Sequence, residues 1–184
     1  MAYPFGSYSE KLFGTLSAVG MEYARTTEDT CAFGIPDQPL AWHPTVHKFA
    51  KLDYDGNSVE ANEAEAAKFR KLTDDFLNTK GLALYYVWGH SWEYKTRWRE
   101  VKEFFKSVSN REDVSYLTHI ELVDYLNAYK RLKISADKSR FLNVSAEELF
   151  IRVTDYSDRQ NPKSTVLHLL PGKTVNLSGA SQDK

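Results

Sequence analysis

The sequence predicts an α/β fold followed by a small antiparallel β appendage, and three observations carry that reading. Residues 1–132 alternate segments of helical periodicity with short apolar runs, the pattern of parallel strands joined by crossover helices. One of those runs, Leu82 to Trp88, is long enough for a buried strand and ends at Gly89 and His90. After Leu132 the pattern changes to short β-type runs separated by turn residues.

The bulk properties agree with an ordered chain. Its 184 residues suit one domain, or one domain and an appendage, and 42 % hydrophobic with 14 % aromatic residues are ample for a packed core. Charged residues make up 27 %, which argues for an ordered, soluble protein. A net charge of −1 argues against a nucleic-acid surface or an anionic-membrane binder. The single Cys31 excludes an internal disulfide. No run reaches the roughly 18 apolar residues of a membrane span. MAYPFGSYSEKLF has neither the basic nor the apolar region of a signal peptide, so the sequence as written predicts a cytoplasmic location.

The elements follow in order. Ala2-Tyr3 is strand-like and leads into the turn Pro4-Phe5-Gly6. Ser7 with Glu10 reads as a capping box; Leu12, Phe13, Leu16 and Val19 follow at helical spacing, and Gly20 closes the helix. Met21 to Arg25 reads as a short strand. Residues 26–57 read as an irregular loop punctuated by Pro36, Pro39 and Pro44, with Trp42, His43 and His47 gathered in LAWHPTVH. A loop of that length inside a domain is usually functional or disordered, and its aromatics and prolines favour order. Asp53 and Asp55 lie in an acidic, solvated loop, and Asp55 to Asn57 is a turn. Residues 58–78 read as a helix that buries Ala64, Phe69, Leu72 and Phe76.

Beyond the Leu82–Trp88 run, a helix from Lys95 to about Ser109 carries Trp98, Val101, Phe105 and Val108. VSYL, within Asp113 to Leu117, reads as a strand. Thr118 and Glu121 form a second capping box ahead of a helix with Ile120, Leu122, Tyr125, Leu126, Tyr129 and Leu132. The appendage, residues 133–178, contains FLNV (141–144), LFIRVTDY (149–156), TVLHLLPG (165–172) and TVNL (174–177), with a polar hairpin loop from Asp158 to Ser164. Residues 179–184 are a polar tail.

His90 is the leading candidate for chemistry. A histidine in the loop after a buried strand is well placed to act as acid or base, and equally able to cap the strand through a backbone hydrogen bond. His43 and His47 have the four-residue spacing of a helical metal pair, but Pro44 and the lack of a periodic apolar run argue against a helix there. Contact of His47 or Trp42 with a substrate is the better reading. Trp88, Trp92, Tyr94 and Trp98 form an aromatic cluster that suits either core packing or stacking on a sugar ring. Ser91 beside His90 is not a nucleophile–base pair, because neighbouring extended residues point apart.

Taken together, PFGSYSEKL, WHPTVH, YVWGHSWEY and SYLTHIELVDYLNAYKRL resemble the polysaccharide deacetylases of the NodB-homology type, carbohydrate esterase family 4. The resemblance covers residues 1–132 and implies that they form the C-terminal part of an irregular (β/α)7 barrel. It implies removal of an acetyl group from an amino-sugar polymer with the help of a divalent metal, often zinc. It assigns His90 as the general acid that protonates the leaving amine, and the backbone N–H of Phe5 as an oxyanion donor. The chemistry is coherent: a tetrahedral intermediate needs donors at its oxygen, and an amine leaves poorly without a proton.

Two departures accompany the resemblance. The family's Asp-Asp pair and His-x-x-x-His motif precede the Pro-aromatic-Gly turn, so this chain has no counterpart for its metal ligands, and His43 and His47 fall on the wrong side of the turn to replace them. Ala2 stands where the family usually has Arg. A partial barrel would leave two sheet edges open, which predicts an oligomer or dependence on a missing N-terminal half. The resemblance thus implies a carbohydrate substrate, and the residues themselves mark Trp42, His47, Trp88 and Trp92 as the candidates to contact it. A non-catalytic carbohydrate- or partner-binding module on the same fold is the alternative.

Overall fold

The computed structural model describes residues 1–48, 63–94 and 97–177. The expected Asp55–Asn57 turn, the Asp53 and Asp55 pair, the helix starts at 58 and Lys95, the side chain of Ala64 and the tail at 179–184 lie outside the described residues. The chain is mixed α/β and divides into two compact units, Met1–Tyr116 and Leu117–Lys184.

In the first unit four extended segments run parallel and in chain order. Arg25 bridges Ala2 on one side and Trp42 on the other, both in parallel sense. Strand β1 (Val46–His47) then pairs with β2 (Val87–Trp88), Val46 opposite Val87 and His47 opposite Trp88. The ladder is carried by Tyr3 N–H to Arg25 O at 3.0 Å, Thr26 N–H to Trp42 O at 3.0 Å and Lys48 N–H to Trp88 O at 2.8 Å. Parallel neighbours in sequence order are what right-handed crossovers build. No barrel closes among the described residues.

Residues 42–47, expected within an irregular loop, are therefore a sheet segment. Pro44 has no N–H to give to a ladder, and on the Arg25 side the pairing passes to the loop, where Thr30 and Cys31 donate to the Pro44 and Thr45 carbonyls at 2.9 Å. The Leu82–Trp88 run also differs from a fully buried strand: Leu82 is 84 % exposed and residues 83–88 are half-buried. Its regular pairing is confined to Val87 and Trp88.

Helix α1 (Phe13–Ala18) is preceded by a 3-10 turn, Glu10–Leu12, and its cap is Ser9, not Ser7. The Ser9 side chain accepts from Lys11 N–H, while Ser7 ends the Pro4–Gly6 turn with its N–H on Pro4 O. Gly20, at φ 83°, closes the helix as expected. Helix α2 (Glu63–Asn78) buries Phe69 and Leu72 against Val46, with Phe33, Tyr85, Val87 and Phe104 packed around them. Burial pushes the Tyr85 hydroxyl up to about 12. In helix α3 (Trp98–Val108) the inward residues are Val101 and Phe104; Trp98 and Phe105, expected in the buried stripe, are exposed. The expected VSYL strand has no ladder partner among the described residues. Tyr116 instead donates its hydroxyl to Val108 O and accepts from Arg111 N–H.

The second unit is helix α4 (His119–Lys130) with antiparallel strands β3 (Lys133–Ile134), β4 (Arg140–Leu142), β5 (Leu149–Asp155), β6 (Lys163–Leu169) and β7 (Thr174–Asn176). The order is β3-β4-β7 in one sheet and β5-β6 in the other. Strand alternation turns Leu149, Ile151, Leu167 and Leu169 inward, where they meet Phe141 and Ala128 of α4. Tyr125 and Leu132 pack on the same core. The two compact units divide between Tyr116 and Leu117, just ahead of α4. The capping box at the start of α4 is complete: the Thr118 hydroxyl accepts from Glu121 N–H, and the Glu121 carboxylate accepts from Thr118 N–H at 2.6 Å. Asn143 is fully buried and ties the turn at 145–147 to β6, donating to the Glu147 and Leu169 carbonyls and accepting from Ser145.

Candidate functional site

Because the four segments of the first unit are parallel, their carboxyl ends share one edge, the place where α/β folds gather reactive groups. The first segment ends in Pro4-Phe5-Gly6, a turn with Phe5 at φ 55° and 84 % exposed. A side chain at Gly6 would collide with the Thr27 hydroxyl. The third segment ends at His47 and the fourth at Trp88, Gly89 and His90.

After His90 the chain makes a 3-10 turn, Ser91–Tyr94. Glu93 N–H donates to His90 O at 3.0 Å, and the Glu93 carboxylate reaches back to accept from His90 N–H at 2.6 Å. The same carboxylate meets His47 Nε2 at 3.0–3.1 Å. Glu93 is only 6 % exposed, so these two donors replace the water it has lost. Gly89 makes room for this arrangement. A Cβ there would collide with the Tyr94 hydroxyl and lie 3.1 Å from both Glu93 Oε2 and the Lys48 carbonyl.

Aromatic rings hold the imidazoles. His47 lies parallel to Trp88 with centroids 3.9 Å apart. The Arg25 guanidinium sits 4.1 Å from the Trp88 ring. Two groups that close cannot share one face of an indole, so Trp88 is covered on both faces. Asp29 clamps the pair from the edge, accepting from His47 N–H at 2.9 Å and from Trp88 Nε1–H at 3.1 Å. His90 stands edge-on to His47 at 5.9 Å and stacks on Trp92 at 5.2 Å. Both His90 and Trp92 are exposed.

Of the residues singled out from sequence, His47, Trp88, His90 and Trp92 converge on this edge. Trp42 does not line it. At 1 % exposure it is core, edge-on to Tyr23 and Tyr86, and it offers no surface to a substrate. Phe5 lies at the carboxyl end of the first of the parallel segments. His43 and His47 occupy one extended stretch, not a helix face, and have different partners: His43 Nδ1 meets the buried Thr26 hydroxyl at 2.7 Å and lies 3.8 Å from Glu28. Glu93 and Asp29 are additions. Glu93 follows His90 by three residues, the capping spacing, and that was its one signal; Asp29 sits in a polar loop with none. Lys48, next to His47, turns to the other side of the strand. Its Nζ lies 3.9 Å over Phe69, and burial lowers its amine to about 8.

Among the described residues no group of three or more His, Cys, Asp or Glu converges as a metal centre. The zinc implied by resemblance therefore has no ligand set among them, and no chemical step is assigned to it. No family model matches the chain, and no curated protein or solved structure matches it either. Among the described residues no helix is long and apolar enough to cross a membrane.

Proposed function

We propose that this chain acts as a polysaccharide deacetylase-type hydrolase, cleaving the amide C–N bond of acetylated amino sugars with His90 as general acid. The observation that carries the reading is His90 itself: an exposed imidazole, stacked on an exposed tryptophan, just past the carboxyl end of a parallel strand, with its backbone held by a buried carboxylate. Amide hydrolysis needs a proton delivered to the leaving nitrogen, a task worth about 10²–10⁴-fold in rate for a positioned side chain. Trp92 offers an apolar face for a sugar ring beside that proton. The turn at Phe5, on the same edge, supplies a backbone N–H for the oxyanion. The sequential parallel order of the four segments is the order a (β/α) barrel wall would have, which supports the same assignment.

The test is acetate release from N-acetylglucosamine oligomers by the full chain with zinc supplied, followed by proton NMR. His90→Ala is expected to lower the rate about 100-fold or more, and Trp92→Ala to raise KM. Release that is indifferent to H90A overturns the assignment. Glycan binding that survives H90A but is lost in W92A, without acetate release, would instead mark a carbohydrate-binding module.

A further inference from the structure

The Glu93–His47 contact is more than a prop for the His90 turn. A neutral imidazole has one N–H and one bare nitrogen, and the partner of one nitrogen decides the state of the other. Here Nε2 faces the buried Glu93 carboxylate, which assigns the proton to Nε2 and the lone pair to Nδ1. Among the described residues Nδ1 has no hydrogen-bond donor. The ring is held in three ways: by Glu93 at Nε2, by the Trp88 face, and through its backbone N–H by Asp29. Its side chain keeps 15 % exposure, while that of Glu93 keeps 2 %. A carboxylate that orients an imidazole while leaving its second nitrogen bare is the arrangement of a general base.

We propose that His47, oriented by Glu93, is a general base on the same edge as the acid His90, so that the chain carries an acid–base pair and not an acid alone. The proposal rests on the hydrolytic reading of His90. The imidazole centroids are 5.9 Å apart. Rings that close leave no gap between them, so the acyl group would lie across their shared solvent edge, its attacking water within hydrogen-bond reach of one ring nitrogen and its leaving nitrogen within reach of the other. His47 Nδ1 takes a proton from water as the water oxygen bonds to the acyl carbon and the carbonyl electron pair moves onto oxygen. Collapse re-forms the carbonyl and breaks the C–N bond, and the departing nitrogen takes a proton from His90. The products are acetic acid and the free amine. His47 releases its proton to solvent and His90 regains one, so one water is consumed and both imidazoles are restored. Glu93 is a positioning residue throughout.

The deciding measurement is long-range ¹H–¹⁵N NMR of the full-length chain near neutral pH. His47 is expected as the Nε2–H tautomer with a bare Nδ1, and Glu93→Gln is expected to abolish that preference. A His47 protonated on both nitrogens overturns the proposal, because a structural ion pair has no base to offer. In the acetate-release assay, His47→Gln is expected to lower kcat about 100-fold with little change in KM. Release indifferent to H47Q overturns the base role alone. No release from the wild-type chain overturns the hydrolytic reading and the base role with it. If H47Q does not fold, the tautomers of wild type and E93Q carry the decision.

Discussion

Gly89→Ala adds a single methyl group at the centre of the candidate site. The added carbon would collide with the Tyr94 hydroxyl and sit 3.1 Å from Glu93 Oε2 and from the Lys48 carbonyl. The phenol can swing away. The Lys48 carbonyl cannot, because it belongs to the backbone whose N–H pairs with Trp88 O at 2.8 Å. Glu93 can retreat only by lengthening its bonds to His90 N–H and His47 Nε2. Overpacking of this kind costs about 1–3 kcal/mol, and a loosened charge-assisted hydrogen bond adds about 1 kcal/mol. Against this, alanine gains about 0.5–1 kcal/mol by restricting the unfolded chain. The net expectation is a loss of about 2 kcal/mol, read from urea unfolding followed by tryptophan emission. A G89A chain as stable as wild type would refute the packing argument and, with it, the close fit of Glu93 beneath the strand end.

Three further outcomes follow from the fold. Leu167, 1 % exposed in the core of the second unit, should cost about 3 kcal/mol on substitution by Ala, seen as a lower midpoint in circular-dichroism melts. Thr118→Ala removes one half of the capping box and should cost about 1 kcal/mol, with amide exchange rising first in the opening turn of α4. Lys48 titrates at about 8 in the folded chain, whereas an unfolded lysine titrates near 10.4. Between those values the native state has released a proton that the unfolded chain keeps, so stability rises with pH. Solvent contact reduces the effect to about 1 kcal/mol. Lys48→Met should flatten that rise when urea unfolding is compared at pH 7.5 and pH 10.

Features written in local spacing were legible from sequence. The Thr118–Glu121 box needs only residues three apart, and the β5–β6 hairpin announces itself by β-type runs at 149–156 and 165–172 around a polar loop, where the structure has Leu149–Asp155 and Lys163–Leu169. His90 stood out because a glycine and an apolar run precede it. What depended on long-range pairing was hidden. Residues 42–47 carry a proline and pair for only two residues with β2, so nothing in their pattern distinguished a strand from a loop. Ser7 and Ser9 both precede Glu10, and the choice between them followed from the Pro4–Gly6 turn claiming Ser7. Trp42 looked like a binding residue because it neighbours two histidines, yet alternation along the segment turns it into the core. Glu93 sits in a polar turn, where a carboxylate is ordinarily solvated; only the fold brings His47 across to it, 46 residues away in the chain.

The indole of Trp88, pressed between the Arg25 guanidinium and the His47 imidazole, gives the site an optical voice. An imidazolium quenches indole emission by electron transfer far more strongly than a neutral imidazole does. Trp88 fluorescence, isolated as the difference between wild type and Trp88→Phe, therefore reports the charge carried by His47 together with that of His90, whose ring stands edge-on to the same indole at 5.5 Å. The ring that holds His47 in place also lets the protonation of the two histidines be followed in solution, without substrate and without a label.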